Sequence, residues 1–264
     1  MYRLLALDID GTLLDSKGCL SEGNKAAVQR AADAGIRVVL ATGRAYRATA
    51  EFACAIGLSD TAVVNFGGAA IAEYPSGKVL HQYLMPPENV REIVEYASAQ
   101  GVYIQAYDGD DFLYQEPCEE SRYYAARMKY DGRQADLRND IFERCAKVLM
   151  IVQPDKVKSI RAKAEAHFGD RYRIVQSGPR FLEFFMPGVD KARALRWLGE
   201  YYGMEASEML AMGDTGIDAE MLRYAGLGIA VANATEEAKR AADELTVSCD
   251  EDAVKVVIEQ YILA

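Results

Sequence analysis

Short, wholly apolar runs alternate with amphipathic segments at the start of the chain. Residues 3–7 (RLLAL) read as a strand buried on both faces. Across residues 21–34, Ala27, Val28, Ala31 and Ala34 share one helical face, with Ser21 placed to cap the helix and Gly35 to end it. Residues 36–41 (IRVVLA) predict a second buried strand; TGR follows, then a helical stretch over 46–56 and a third strand from 62–64. This strand-helix rhythm predicts a parallel sheet with helices on both faces.

The rhythm changes over residues 86–187. A helix (88–99) precedes VYIQAYDGDDFLYQ, which reads as a hairpin whose turn holds Asp108 and Gly109. A tyrosine-rich helical stretch, a strand (147–152) and a helix (156–167) lead to YRIVQSGPRFLEFFM, a second hairpin candidate turning at Gly178. Paired hairpins predict an antiparallel sheet, hence a separate α+β domain inserted into the first. After Pro187 the parallel pattern resumes, with a helix at 190–202 ending at Gly203, a strand at 209–212, a helix at 219–224 and a strand at 228–232. A last helix and residues 245–247 complete the sheet. The expected fold is α/β, a doubly wound parallel-sheet core of residues 1–85 and 188–264 carrying the insert 86–187.

Composition narrows the function classes. The 264 residues carry a formal charge of −10 without long Lys/Arg runs, a poor match for nucleic acid or an anionic membrane. No apolar run nears the roughly 20 residues that span a bilayer, and the N-terminus lacks the pattern of a signal peptide. Cys19, Cys54, Cys118, Cys145 and Cys249 are scattered without CxxC spacing, which predicts reduced thiols and a cytoplasmic location. The two histidines, His81 and His167, suggest no zinc site.

The chemistry gathers where strands end. Asp8 and Asp10 flank Ile9 after the first strand, Thr42 follows the second, and Asp214 stands one glycine beyond 209–212. Ligands of open parallel sheets bind beyond the carboxyl ends of the strands. Each residue alone is an ordinary cap or turn former; recurrence at three strand ends is harder to dismiss. Lys191 follows the capping Asp190 at a helix start, where the helix dipole disfavours a cation. Carboxylates crowded into one cleft call for a hard cation, and an oxygen-rich set without His or Cys suits Mg²⁺. With a hydroxyl and an ammonium added, the set can hold a phosphoryl group.

These stretches resemble the haloacid dehalogenase-like (HAD) superfamily, most closely its Cof-type sugar-phosphatase branch. LDIDGTLLD is similar to the first motif, LATGR to the second, GVDKARAL to the third and MGDTGIDAEML to the fourth, with GIAVANA downstream. The resemblance implies a Rossmann-like core with an inserted α+β cap domain that closes over the site and selects substrate. It implies that Asp8 is the nucleophile and Asp10 the acid and base, while Thr42, Gly43 and Lys191 bind the phosphoryl group. Mg²⁺ would be held by Asp8, the Asp10 backbone carbonyl and Asp214, with Asp218 a further metal candidate. Gly11 and Gly213 would let the backbone approach closely. Arg44, and less so Arg47, would reach a second anionic group of the substrate.

Two positions depart from the pattern. Ile217 stands where the branch commonly has Asn in GDxxND, and Gly67-Gly68-Ala69 replaces NGA, with Asn65 displaced by two. Of the insert's tyrosines (Tyr103, Tyr107, Tyr114, Tyr123, Tyr124 and Tyr130), most are expected in its core or on its surface rather than on a sugar ring.

Rival readings are a phosphomutase on the same core, a non-catalytic phosphate-ligand binding or regulatory protein, a signalling receiver and a dinucleotide binder. A receiver needs no insert and no acid at Asp10, and the first strand runs into DIDGT rather than GxGxxG. The sequence therefore predicts a cytoplasmic Mg²⁺-dependent phosphatase of small phosphorylated metabolites, sugar phosphates foremost, with no nucleic-acid or membrane partner.

Overall fold

Leu4–Leu7 forms β1 and is buried at every position. In the computed structural model, which describes residues 2–264, it is followed by α1 (Glu22–Asp33), β2 (Arg37–Ala41), α2 (Tyr46–Ile56), β3 (Thr61–Asn65), β4 (Ala70–Tyr74) and β5 (Val79–Gln82). Next come α3 (Pro87–Ala99), β6 (Tyr103–Asp108), β7 (Asp111–Tyr114), α4 (Glu119–Met128), β8 (Arg133–Gln134), β9 (Val148–Ile151), α5 (Val157–Phe168), β10 (Arg173–Gln176) and β11 (Phe181–Phe185). The chain ends with α6 (Lys191–Tyr202), β12 (Met209–Gly213), α7 (Ala219–Tyr224), β13 (Leu227–Ala230), α8 (Glu236–Ala241), β14 (Glu244–Leu245) and α9 (Ala253–Tyr261). Two compact units result, one of residues up to His81 with Asp190–Ala264, the other Gln82–Val189.

The first unit is the doubly wound α/β core. Its sheet runs β14-β13-β12-β1-β2-β3-β4-β5, parallel from β14 to β3 and antiparallel at β3–β4. β1 lies centrally, Leu7 opposite both Met212 and Leu40. The chain builds outward from β1 on one side, then returns to lay β12 on the other. The strand order thus reverses at β1, where open sheets form a ligand crevice. β4 and β5 extend the sheet beyond the third strand that the sequence pattern predicts. The short AIAEY run of β4 is rich in alanine and carries little strand signal of its own.

α1 begins at Ser21, whose hydroxyl accepts the Asn24 N–H. Asn24 is itself buried, donating to the Leu13 carbonyl (3.1 Å) and accepting the Lys255 N–H in the first turn of α9 (3.0 Å). One amide thereby ties three segments and satisfies an otherwise unpaired helix N–H.

The second unit is α+β, with a sheet ordered β10-β11-β9-β6-β7-β8. Both predicted hairpins form, but β9 lies between them, paired antiparallel to β11 and β6. The first hairpin centres on Gly109 and Asp110, with Asp108 opposite Asp111 and Gly109 at φ +62°. Tyr107 and Tyr124 are buried within this unit and share a hydroxyl–hydroxyl hydrogen bond of 2.6 Å; Tyr123 is exposed. Among the described residues, no helix is long and apolar enough to cross a membrane.

Replacing Asn24 by leucine takes this partner from the buried Leu13 carbonyl and from the part-buried Lys255 N–H. Asn24→Leu is expected to lower stability by about 2 kcal/mol, read as a lower urea midpoint at unchanged slope. An unchanged midpoint would show that the tie carries no stability.

Candidate active site

The first motif turns sharply because its backbone must. The Asp8 N–H donates to the Met212 carbonyl (3.0 Å), carrying the sheet pairing one step past β1. Gly11 then takes φ +81°, and a Cβ there would lie 2.5 Å from Asp214 Oδ2. Only glycine admits both the left-handed backbone and that carboxylate. Asn233, from the GIAVANA stretch, donates to the Gly11 carbonyl (2.9 Å) and accepts the Cys249 N–H (2.8 Å), pinning the loop from outside. The sequence reading did not single out Asn233; its place just past a strand end was the available signal.

Lys191 is the centre of the site. It is fully buried, and its Nζ donates to Asp8 Oδ1 and to Asp218 Oδ1, each at 2.5 Å. Burial alone would lower its pKa, but Asp218 and Asp8 reverse that, and the ammonium is held above its ordinary range. The start of α6 that carries it is fixed by Gly68, where a Cβ would stand 2.1 Å from the Asp190 carbonyl oxygen. Phe66, Gly67 and Gly68 are successive left-handed residues (φ +50°, +61° and +106°). Gly67 thus fills a conformation that glycine and asparagine both tolerate.

Asp218 has both oxygens engaged. Oδ1 takes Lys191, while Oδ2 accepts the N–H groups of Asp214 (3.2 Å) and Thr215 (3.0 Å) and the Thr215 hydroxyl (3.2 Å). The neighbouring Ile217 is buried. Asp214 differs, because its Oδ1 is buried without a hydrogen-bond partner. Oxygens of Asp8, Asp214 and Asp218 lie within 4.8 Å of one another. Burial, then neighbouring carboxylates, push Asp214 up to about 9. Burial pushes Asp8 up to about 7, with Lys191 opposing and Asp218 adding to the rise. An all-oxygen set with an orphaned acceptor fits a hard divalent cation such as Mg²⁺.

A second ion pair joins the first two motifs. Arg44 Nε and Nη2 donate to Asp10 Oδ2 and Oδ1, both at 2.8 Å. Thr42, buried after β2, accepts the Arg44 N–H through Oγ1 (3.2 Å) and holds the Gly67 N–H on its carbonyl (2.9 Å). Gly43 lies half-buried between Thr42 and Arg44, and Arg47 is exposed on α2. Asn65 donates to Thr49 Oγ1 (2.7 Å) and the Arg44 carbonyl (3.3 Å), so it supports the second motif. The structure therefore joins Asp8, Lys191, Asp214 and Asp218 in one cluster and Asp10, Arg44 and Thr42 in another.

The family model for haloacid dehalogenase-like hydrolases matches residues 5–258. A haloacid dehalogenase-like hydrolase from Bacteroides thetaiotaomicron is 31% identical with a TM-score of 0.87, the match covering 98% of this chain and 99% of that one. The Bacillus subtilis 5-amino-6-(5-phospho-D-ribitylamino)uracil phosphatase YitU is 29% identical over 98% of this chain and 97% of its own length. Putative phosphatase YxeH of the same organism is 26% identical over the whole of both chains.

The raised carboxyls of the cluster set a pH dependence for the metal-free protein. Their pKa values in the folded protein, about 7 and about 9, exceed the ordinary 3.8. Their protonated forms therefore favour folding below about pH 4, and that contribution is lost as pH rises through the folded values. Without metal, Tm is expected to fall between pH 5 and pH 8. Mg²⁺ is expected to raise Tm more at pH 8, where less proton must leave. Calorimetry showing an equal Mg²⁺ effect at both values would separate the cluster from metal binding.

Proposed function

The chain belongs to the haloacid dehalogenase-like hydrolases and is a phosphatase, and on that premise we propose that it hydrolyses small phosphorylated metabolites, sugar and polyol phosphates foremost, with Mg²⁺ and through an aspartyl-phosphate on Asp8. The observation that carries this is the buried Lys191 ammonium on Asp8 beside the orphaned oxygen of Asp214. Lys191 holds the nucleophile's carboxylate in place and offers positive charge where phosphoryl oxygens enter. Asp8 and Asp214 are the residues that would hold the metal, with the Asp10 backbone carbonyl beside them. Bound there, Mg²⁺ supplies positive charge against the developing phosphoryl charge.

In the first step an Asp8 oxygen bonds to phosphorus as the ester P–O bond breaks, and Asp10 gives the departing oxygen its proton. In the second, Asp10 takes a proton from water as the water oxygen bonds to phosphorus, releasing phosphate and restoring Asp8. Thr42 and the Gly43 backbone bind phosphoryl oxygens. Asp218, with both oxygens engaged, fixes Lys191 and the Asp214 loop. Substrate choice is assigned to the inserted α+β unit. The Bacillus subtilis relative's named substrate carries its phosphate on a ribityl chain, and the same chemistry, a phosphate ending a hydroxylated carbon chain, is proposed here.

Phosphate release from a panel of sugar, polyol and aryl phosphates, with Mg²⁺ or EDTA, tests this reading. Release is expected only with Mg²⁺, and Asp8→Asn is expected to lower it at least about 10³-fold without changing the fold. Retained turnover in that variant would exclude the covalent route. An isomerised ester without free phosphate would assign a phosphomutase.

A further inference from the structure

Sequence alone offers Arg44 to a second anionic group of the substrate. The structure gives its guanidinium another occupation. Two parallel N–H groups, Nε and Nη2, meet both oxygens of Asp10 at 2.8 Å, a fork that fixes the plane of the carboxylate as well as its distance. The arginine is only 9% exposed. Its guanidinium carbon lies 5.1 Å from the Phe52 ring centroid. Its carbonyl accepts the Phe66 N–H (3.0 Å) and the Asn65 amide (3.3 Å), and its own N–H is held by Thr42 (3.2 Å). Such a side chain is a fixed part of the scaffold. Asp10 is the more exposed member of the pair and sits beside the left-handed Gly11.

We infer that Arg44 is the positioning residue of Asp10, orienting that carboxyl toward the oxygen of the leaving group and then toward water, rather than an anchor for the substrate. The inference rests on the reading of Asp10 as the proton-transfer group. It is compatible with both steps, since a protonated carboxyl oxygen keeps acceptor capacity and the fork can persist when Asp10 carries the proton. The turn of Phe66, Gly67 and Gly68 also gains a second consequence. By holding the Arg44 and Thr42 carbonyls, it orients the acid as well as the start of α6.

The test exploits leaving groups. 2,4-Dinitrophenolate departs without a proton, whereas an alkoxide needs one. Arg44→Lys and Arg44→Met, assayed with Mg²⁺, are expected to lose about 10²-fold in kcat/KM, which reports the leaving-group step and not the common hydrolysis of the phospho-enzyme, on the fastest alkyl phosphate of the panel. On 2,4-dinitrophenyl phosphate the loss should be far smaller, which also reports a folded phosphoryl site. Asp10→Asn should show the same selectivity, more strongly. Equal losses on both esters in the Arg44 variants, with Asp10→Asn selective, would overturn the positioning role and leave the acid in place. Equal losses in Asp10→Asn would instead overturn the acid itself. A loss confined to KM, and only for sugars bearing a second phosphate, would return Arg44 to substrate anchoring. Full alkyl-ester activity in Arg44→Lys would show that charge suffices and the fork does not matter.

Discussion

A buried ammonium held by two carboxylates organises this molecule. Lys191 has no exposed surface, so its charge must be met within the protein or not at all. Asp8 and Asp218 meet it at 2.5 Å from different strand ends, β1 and the loop after β12. The lysine itself comes from a helix start, where the dipole opposes a cation. Three segments distant in sequence are thereby compelled to converge, and the sheet's central pairing of β1 with β12 makes their convergence possible.

Charge bookkeeping then explains why the cluster reads as a metal centre. Asp8, Asp10, Asp214 and Asp218 stand against Lys191 and Arg44, so with every group ionised two negative charges remain in excess. Arg44 is committed to Asp10 and Lys191 to Asp8 and Asp218. The uncompensated group is Asp214, the one with a buried oxygen lacking a partner and with its pKa pushed up to about 9. A divalent cation is the smallest addition that balances the set.

The strand ends were legible because an apolar run that stops at an acid or a hydroxyl is a local pattern. Leu4–Leu7 before Asp8 and Met209–Gly213 before Asp214 both show it. So was α6, announced by Asp190 and closed by the left-handed Gly203. The Arg44–Asp10 pair was not legible, since the two residues lie on different loops and only the parallel register of β1 with β2 brings those loops side by side. Asn233 was hidden for a related reason, because its partners at Gly11 and Cys249 are backbone groups, which leave no mark on the sequence. β9 between the two hairpins is a tertiary choice, and hairpins alone specify no order among themselves.

The two departures from the family pattern have different physical standing. At Gly67 the requirement is a left-handed backbone, which glycine meets directly, while Asn65 supports the loop from a different position. At Ile217 an asparagine amide would enter a buried position and need partners of its own. In this chain Asp218 already takes Lys191, two backbone N–H groups and the Thr215 hydroxyl. The fourth-motif loop is therefore held by a carboxylate and a hydroxyl, with apolar burial beside them. That arrangement leaves Asp214 as the residue of this loop with a buried carboxylate oxygen that lacks a hydrogen-bond partner.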